Sequence, residues 1–287
     1  MGVPAGPKPR AQGVRRGRPG RPASEGARRD RRLLIMPLGT VVHKLGTVSS
    51  TNDAARDLAR EGAAHGTAVL AEEQTRGRGT KGRLWHSPPG MGLYVSFVLR
   101  FPPQGPGPWF HLLPLAAGVA AADAVLAASG IEVRLKWPND LVRDGRKLGG
   151  ILVESVSTGS GPAFAVVGVG INVGHREEDF PEELRPRATS LDLIAGRPTD
   201  KDAVFAALCR ALDNWYNALI RGEPGTIVKA FEDRAAFSSG DPIRVTTGSG
   251  PFQGVYRGLD ARGRLLVGRR GRTEPVALDD ILGLEGQ

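Results

Sequence analysis

Residues 133–173 constrain the fold more than any other part of the chain. They hold four apolar, β-branched segments, at 133–136, 140–143, 148–156 and 163–173, joined by short polar or glycine-containing links. Such segments read as strands, and Asp144-Gly145 between the second and third is a hairpin turn signal. Upstream, residues 41–45 are a short apolar stretch, and 67–73 and 93–99 carry the β-branched and aromatic content of strands. Helices interrupt them. Ser49-Ser50-Thr51-Asn52 supplies hydroxyls suited to an N-cap, and Ala54, Ala55, Leu58 and Ala59 continue at helical spacing to Gly62. A Pro/Gly spacer at 102–108 leads to an Ala/Leu-rich helix ending near Ala128. Asp200 suits the cap of a long helix with Val204, Leu208, Leu212, Trp215 and Leu219 on one stripe, and a second helix is expected over 226–236. The whole predicts an α+β body with a mixed or antiparallel sheet.

After Gly240 the texture changes. Short strands at 243–247, 254–259, 265–267 and 275–278 alternate with glycine-rich turns, as in a small antiparallel barrel. The expected organisation is therefore a tail at 1–35, a body at 36–237 and a compact all-β module at 238–287.

The net charge of +9 invites a nucleic-acid reading, so its location matters. Residues 1–35 hold ten Lys or Arg against Glu25 and Asp30, a net of +8; of the 39 basic and 30 acidic residues this leaves 29 against 28, or +1, for everything after. The basicity belongs to the tail. Its Gly, Pro and Arg, with almost no large apolar side chain, predict disorder. A charge-held arm for nucleic acid or a membrane surface, a solvated extension, and a true start at Met36 all remain open readings of it. No helix-turn-helix pattern precedes the body, so no specific DNA binding is expected. Nor is a membrane span or a signal peptide, since no apolar run is read as reaching the roughly 18 residues required. The lone Cys209 excludes an intramolecular disulfide, argues against a zinc cluster, and makes a reducing cytoplasm the default.

Three blocks carry chemistry. Gly77-Arg78-Gly79-Thr80-Lys81-Gly82-Arg83 packs three glycines and three cations into one loop. Glycines let backbone N–H groups approach an anion, and the cations add charge-assisted bonds; by itself this is equally a solvated turn. Lys136-Trp137-Pro138-Asn139-Asp140 puts a proline where a sheet would continue. Lys147-Leu148-Gly149-Gly150-Ile151-Leu152-Val153-Glu154 follows, so two lysines, an aspartate and two glycines would meet on adjacent strand ends if Asp144-Gly145 is the turn. A hairpin with a surface Lys-Asp pair reads equally well. Val167-Gly168-Val169-Gly170-Ile171-Asn172-Val173 is an apolar strand with two glycines, either a bulged core strand or one whose backbone something approaches.

Ser50-Thr51-Asn52, the Gln74 to Arg83 loop with Trp85 behind it, and these later blocks occur in the order seen in biotin-protein ligases, which the chain resembles over roughly residues 43–235. The C-terminal barrel resembles that family's SH3-like domain. The resemblance implies an enzyme that activates biotin with ATP as an acyl-adenylate and passes it to a lysine of a biotin carboxyl carrier protein, the acetyl-CoA carboxylase subunit. It implies a catalytic fold of the class II synthetase-like, biotin/lipoate ligase type, and a homodimer through the sheet as found among relatives. Ser50, Thr51, Asn52 and Gln74 would hold biotin, with Gly77, Arg78, Lys147, Gly149 and Gly150, and apolar neighbours around Ile151 and Val153 would wall its ring and chain. Gly79, Thr80, Lys81, Trp85, Lys136, Asn139, Lys147 and Asn172 would serve ATP and the adenylate, Trp85 by stacking on adenine or else by filling core. Lys147 would be the central catalytic group, with Arg78 on the carboxylate and α-phosphate, Lys136 in support, and Asp140 as base or orienting acceptor for the incoming lysine. Mg²⁺ would enter with the triphosphate, and no dedicated metal site is expected. One departure stands out: the family's loop commonly reads Gly-Arg-Gly-Arg-x-Gly, and Thr80 occupies the second arginine position. Threonine lacks arginine's bidentate grip on phosphate, so faster release of the adenylate is expected.

Two rivals are a lipoate-protein ligase, whose chemistry is nearly the same, and a nucleic-acid-binding protein using the tail and the barrel. The second predicts a groove of cations and stacking aromatics; a body of net charge near +1, in a chain with three Tyr and nine Phe, gives it little support.

Overall fold

The computed structural model describes residues 1–3, 36–101, 105, 107–158, 161–278 and 280–286. The expectations for the basic tail and for most of the 102–108 spacer lie outside the described residues. The body runs β1 (Val42–Val48), α1 (Thr51–Arg60), β2 (Ala68–Gln74), β3 (Gly92–Arg100), α2 (Leu113–Ser129), β4 (Arg134–Lys136), β5 (Asp140–Arg143), β6 (Arg146–Thr158) and β7 (Gly161–Asn172). These strands form one sheet of order β1-β2-β3-β7-β6-β5-β4. It is parallel at β1/β2 and antiparallel at every other pairing, a mixed sheet in an α+β body. Asp144 and Gly145 both take positive φ, 49° and 74°, and form the two-residue turn that joins β5 to β6.

The helices α3 (Leu191–Ala195), α4 (Lys201–Arg221) and α5 (Pro224–Glu232) complete the body. Asp200 caps α4 by accepting from the backbone N–H groups of Asp202 and Ala203. Because side chains alternate across a strand, Leu93, Val95, Phe97 and Leu99 of β3 and Ala165, Val167, Val169 and Ile171 of β7 join one core with α2, α4 and α5. The other face of the same strands presents Val98, Phe164 and Val166 to Ala55 and Ala59 of α1. β3 is thus covered on both sides, which is why eight of its nine residues are buried. The span Phe110–Ser129 is long and apolar enough by length and composition to cross a membrane, correcting the expectation that no run reaches that length. Here 67% of its most apolar window is buried, because a helix apolar all round is what the centre of this core requires.

The C-terminal module is an antiparallel SH3-like sheet of order β11-β10-β9-β8-β12, built from β8 (Pro242–Thr247), β9 (Gly250–Leu259), β10 (Leu265–Arg269), β11 (Arg272–Val276) and β12 (Ile281–Gly286). Its Ile243, Val245 and Tyr256 belong to the same apolar cluster as the body. Two buried or partly buried hydrogen bonds join the parts: Trp137 Nε1 donates to the Gly263 carbonyl at 2.9 Å, and Leu259 N–H donates to Glu232 Oε1 at 2.7 Å.

Candidate active site

On the α1 side of the sheet lies a cavity of about 490 Å³. Ser50, Thr51 and Asn52 from the start of α1 and Gln74 from the end of β2 line one end of it. The glycine loop contributes Arg78, Gly79, Thr80 and Trp85. From the β4 to β6 region come Lys136, Asn139, Asp140, Lys147 and Gly150, and from β7 comes Asn172. Gly77 and Gly149 are not part of that lining. Lys81 faces a second cavity of about 390 Å³, between the body and β12. Thr80, Arg83, Lys136, Asn139, Asp140 and Glu285 border both cavities.

The floor is a polar network. Ser50 occupies the cap position of α1 but makes no side-chain cap bond. Instead Gln74 Oε1 accepts from Thr51 N–H at 2.9 Å and from the Thr51 hydroxyl at 3.1 Å, while Gln74 Nε2 donates to Ser87 Oγ at 2.9 Å. Ser96 Oγ lies 2.8 Å from Thr51 Oγ1 and 2.6 Å from Asn52 Oδ1, and Asn52 Nδ2 donates to Glu154 at 2.7 Å. These buried groups satisfy one another, which fixes both donors and acceptors in one orientation.

The glycines make room for this network. A side chain at Gly168 would overlap Asn52 Oδ1, and one at Gly170 would come within 2.7 Å of the Trp85 ring. The pairing register runs through both positions without a bulge, so close approach, not strand irregularity, explains them. Gly77 is constrained the same way, since a Cβ there would meet the Trp85 carbonyl at 2.7 Å and Ser87 Oγ at 2.8 Å. On β6 the alternation sends Ile151 and Val153 to the core side. Ile151 and Leu152 both line the cavity whereas Val153 borders only the second one, so the apolar wall expected from Ile151 and Val153 is formed by Ile151 together with Leu152.

The cations come from separate segments. Lys147 Nζ sits 2.6 Å from Asp140 Oδ1 and 5.3 Å from the centre of the Trp85 ring. Arg78 is paired twice, Nη1 to Asp53 at 2.7 Å and Nη2 to Glu154 at 3.0 Å. Burial alone would raise the Asp53 carboxyl, but hydrogen bonding and charge from Arg78, with help from Arg56, hold it below its ordinary value. Burial pulls Lys136 down, opposed by the negative charges of Asp140 and Glu285. Asn139 Nδ2 donates to the Ile151 carbonyl at 2.7 Å and Asn172 Nδ2 to the Thr189 carbonyl at 2.9 Å, so both amides brace the walls.

Several residues escaped the sequence reading. Phe180, Leu184, Arg187 and Ala188 close one side of the cavity. Their segment is stitched to β6 by Lys147 N–H to the Arg187 carbonyl at 2.7 Å and Thr189 N–H to the Lys147 carbonyl at 2.9 Å. Behind it, His175 is fully buried and stacks on Phe180 with ring centres 4.8 Å apart. Neither of its ring nitrogens reaches a partner in hydrogen-bonding geometry, and burial pushes its pKa down to about 4. Ser96 did leave a signal, as the one small polar residue in a run of large apolar and aromatic ones; Asp53 and Glu285 left none.

Residues 46–172 match the profile of the biotin/lipoate A/B protein ligase family. The biotin--[acetyl-CoA-carboxylase] ligase of Mycobacterium tuberculosis is 33% identical over 279 residues, covering 92% of this chain and 96% of that protein. Among solved structures, the Aquifex aeolicus biotin protein ligase in complex with biotin and ATP superposes with a TM-score of 0.76 at 28% identity, over 86% of this chain and 100% of the other. The Leishmania major biotin protein ligase in complex with biotinyl-5-AMP gives 0.54 at 25% identity, over 83% and 99%.

Proposed function

The chain belongs to the biotin/lipoate A/B protein ligase family, and on that premise we propose that it is an ATP-dependent biotin-protein ligase. It joins biotin and ATP as biotinyl-5′-adenylate with release of pyrophosphate, then transfers biotin to a lysine of a biotin carboxyl carrier protein, the subunit implied by the name of its mycobacterial relative. The observation that carries this reading is that Arg78 and Lys147, 69 positions apart in the sequence, line one cavity whose floor already offers paired donors and acceptors.

The floor favours biotin over lipoate. A ureido ring has two N–H groups and a carbonyl for Ser50, Thr51, Asn52 and Gln74 to meet, whereas a dithiolane ring has none and would gain no hydrogen bond from them. In the first step the biotin carboxylate attacks the α-phosphate. Two anions approach, and Lys147 between them stabilises the charge that develops. Arg78 reaches the carboxylate and phosphate by exchanging Asp53 and Glu154 for the ligand's oxygens, and Lys136 supports the phosphates. Trp85, packed close against Gly170, would offer adenine an aromatic face. The nucleotide enters as its Mg²⁺ complex. Asp140 is paired with Lys147, and among the described residues no cluster of three His, Cys, Asp or Glu could hold the ion by protein groups alone, so the triphosphate would carry it. Bound there, the ion would neutralise part of the triphosphate charge.

In the second step only about one carrier lysine in 2,500 is neutral at pH 7. Asp140, released as Lys147 turns to phosphate, would accept a proton from the incoming ammonium. The ATP requirement and the single cysteine fit a cytoplasmic reaction.

Incubation with ATP, biotin and a carrier domain is expected to raise the carrier's mass by one biotinyl group, with no gain when lipoate replaces biotin. Lys147→Ala is expected to slow adenylate formation by roughly 10² to 10³. Lipoylation of the carrier, or adenylate formation at full rate in the variant, would contradict the reading.

A further inference from the structure

The second half-reaction brings an ammonium group to a cavity walled by Arg78, Lys136 and Lys147. A cation approaching cations needs a carboxylate free to meet it. Two carboxylates line the cavity, Asp140 and Glu285. Asp140 is held by Lys147 at 2.6 Å until Lys147 turns to the phosphate. Glu285 forms no side-chain hydrogen bond or ion pair among the described residues, even though Arg244 is its cross-strand partner. It belongs to β12, the strand that completes the C-terminal sheet, and borders both the reaction cavity and the neighbouring one, so it stands where the two meet. Its charge is felt at Lys136. Arg83 Nη2 donates to the Leu282 carbonyl at 3.4 Å and holds β12 against the glycine loop.

We propose that Glu285 is the docking group for the acceptor lysine, so that the C-terminal module supplies recognition of the carrier's ammonium. The inference rests on the reading that this cavity makes an acyl-adenylate. In the step concerned, the lysine nitrogen bonds to the biotin carbonyl carbon while the bond from that carbon to AMP oxygen breaks. AMP leaves with the electron pair, and the two protons lost from the ammonium pass to solvent. Glu285 holds the ammonium at the mouth before the first proton leaves; Asp140 lies deeper.

The test separates docking from chemistry. Adenylate is formed first from biotin and ATP, then captured either by a carrier domain or by hydroxylamine, a small amine that is neutral at pH 7 and has no ammonium to dock. With Glu285→Gln, kcat/KM for the carrier is expected to fall about fivefold, mainly through KM, with a loss that shrinks as salt rises. Hydroxylamine capture is expected to change less than about twofold by the same physics. Glu285→Asp, which keeps the charge, should restore most of the carrier rate, and Glu285→Lys should lower it further. Equal losses for both amines, or carrier transfer untouched in Glu285→Gln and Glu285→Lys, would overturn the proposal. Failure of the wild-type chain to form any adenylate would instead overturn the ligase reading on which it rests.

Discussion

At the scale of single residues, the two cations expected to act on the ligand's anions are already paired before any ligand arrives. Arg78 is held by Asp53 and Glu154, and Lys147 by Asp140, so ligand anions replace existing partners and need not order free side chains. Thr80 breaks this economy. It lines the cavity at the family's second arginine position and offers the adenylate no guanidinium. Thr80→Arg is therefore expected to slow adenylate release about tenfold, read by quench-flow with a trap for the free intermediate; unchanged release would mean that Thr80 is not a holding position. Arg78, Lys147 and Asp140 were legible because cations and an acid flank turn-forming glycines in the sequence. Their partners Asp53 and Glu154 were not, because an acid on a helix or strand is normally solvated and only tertiary packing shows what it faces.

At the scale of elements, the β7 glycines decide how the site is built. Gly168 admits Asn52, whose amide joins Ser96 to Glu154. Gly168→Ala would push that amide aside and leave buried groups unmatched, at a cost of about 2 kcal/mol in stability. A lower melting temperature together with a raised KM for biotin is the expected result, and wild-type values for both would show that Asn52 is not positioned by β7. The strands and their hairpin could be read from residue type, since β-branched runs and Asp-Gly each have a local physical cause. β12 could not: only Ile281 and Leu284 are buried, and Gly283 and Gly286 interrupt it, so it exists because β8 is there to pair with it. The start of α1 was placed correctly, but its capping chemistry was not, because Gln74, 23 positions from Thr51, supplies the acceptor.

For the whole molecule, two sheets meet so that the reaction cavity has walls from both. The body contributes the polar floor and the cations, and β12 contributes Glu285 at the mouth. Composition located the charge correctly in the tail sequence but said nothing of this docking, which depends on Trp137 and Glu232 finding backbone partners in the C-terminal module. The account as a whole depends on cations from distant segments acting on one pair of reacting anions. A double-mutant cycle of Arg78→Ala and Lys147→Ala, read in biotin-dependent pyrophosphate exchange with ATP, tests that most directly. Convergence predicts that the double variant loses less than the product of the two single losses, a coupling of about 1–3 kcal/mol. Losses that simply multiply would mean the two side chains act on separate events, and the account would be wrong.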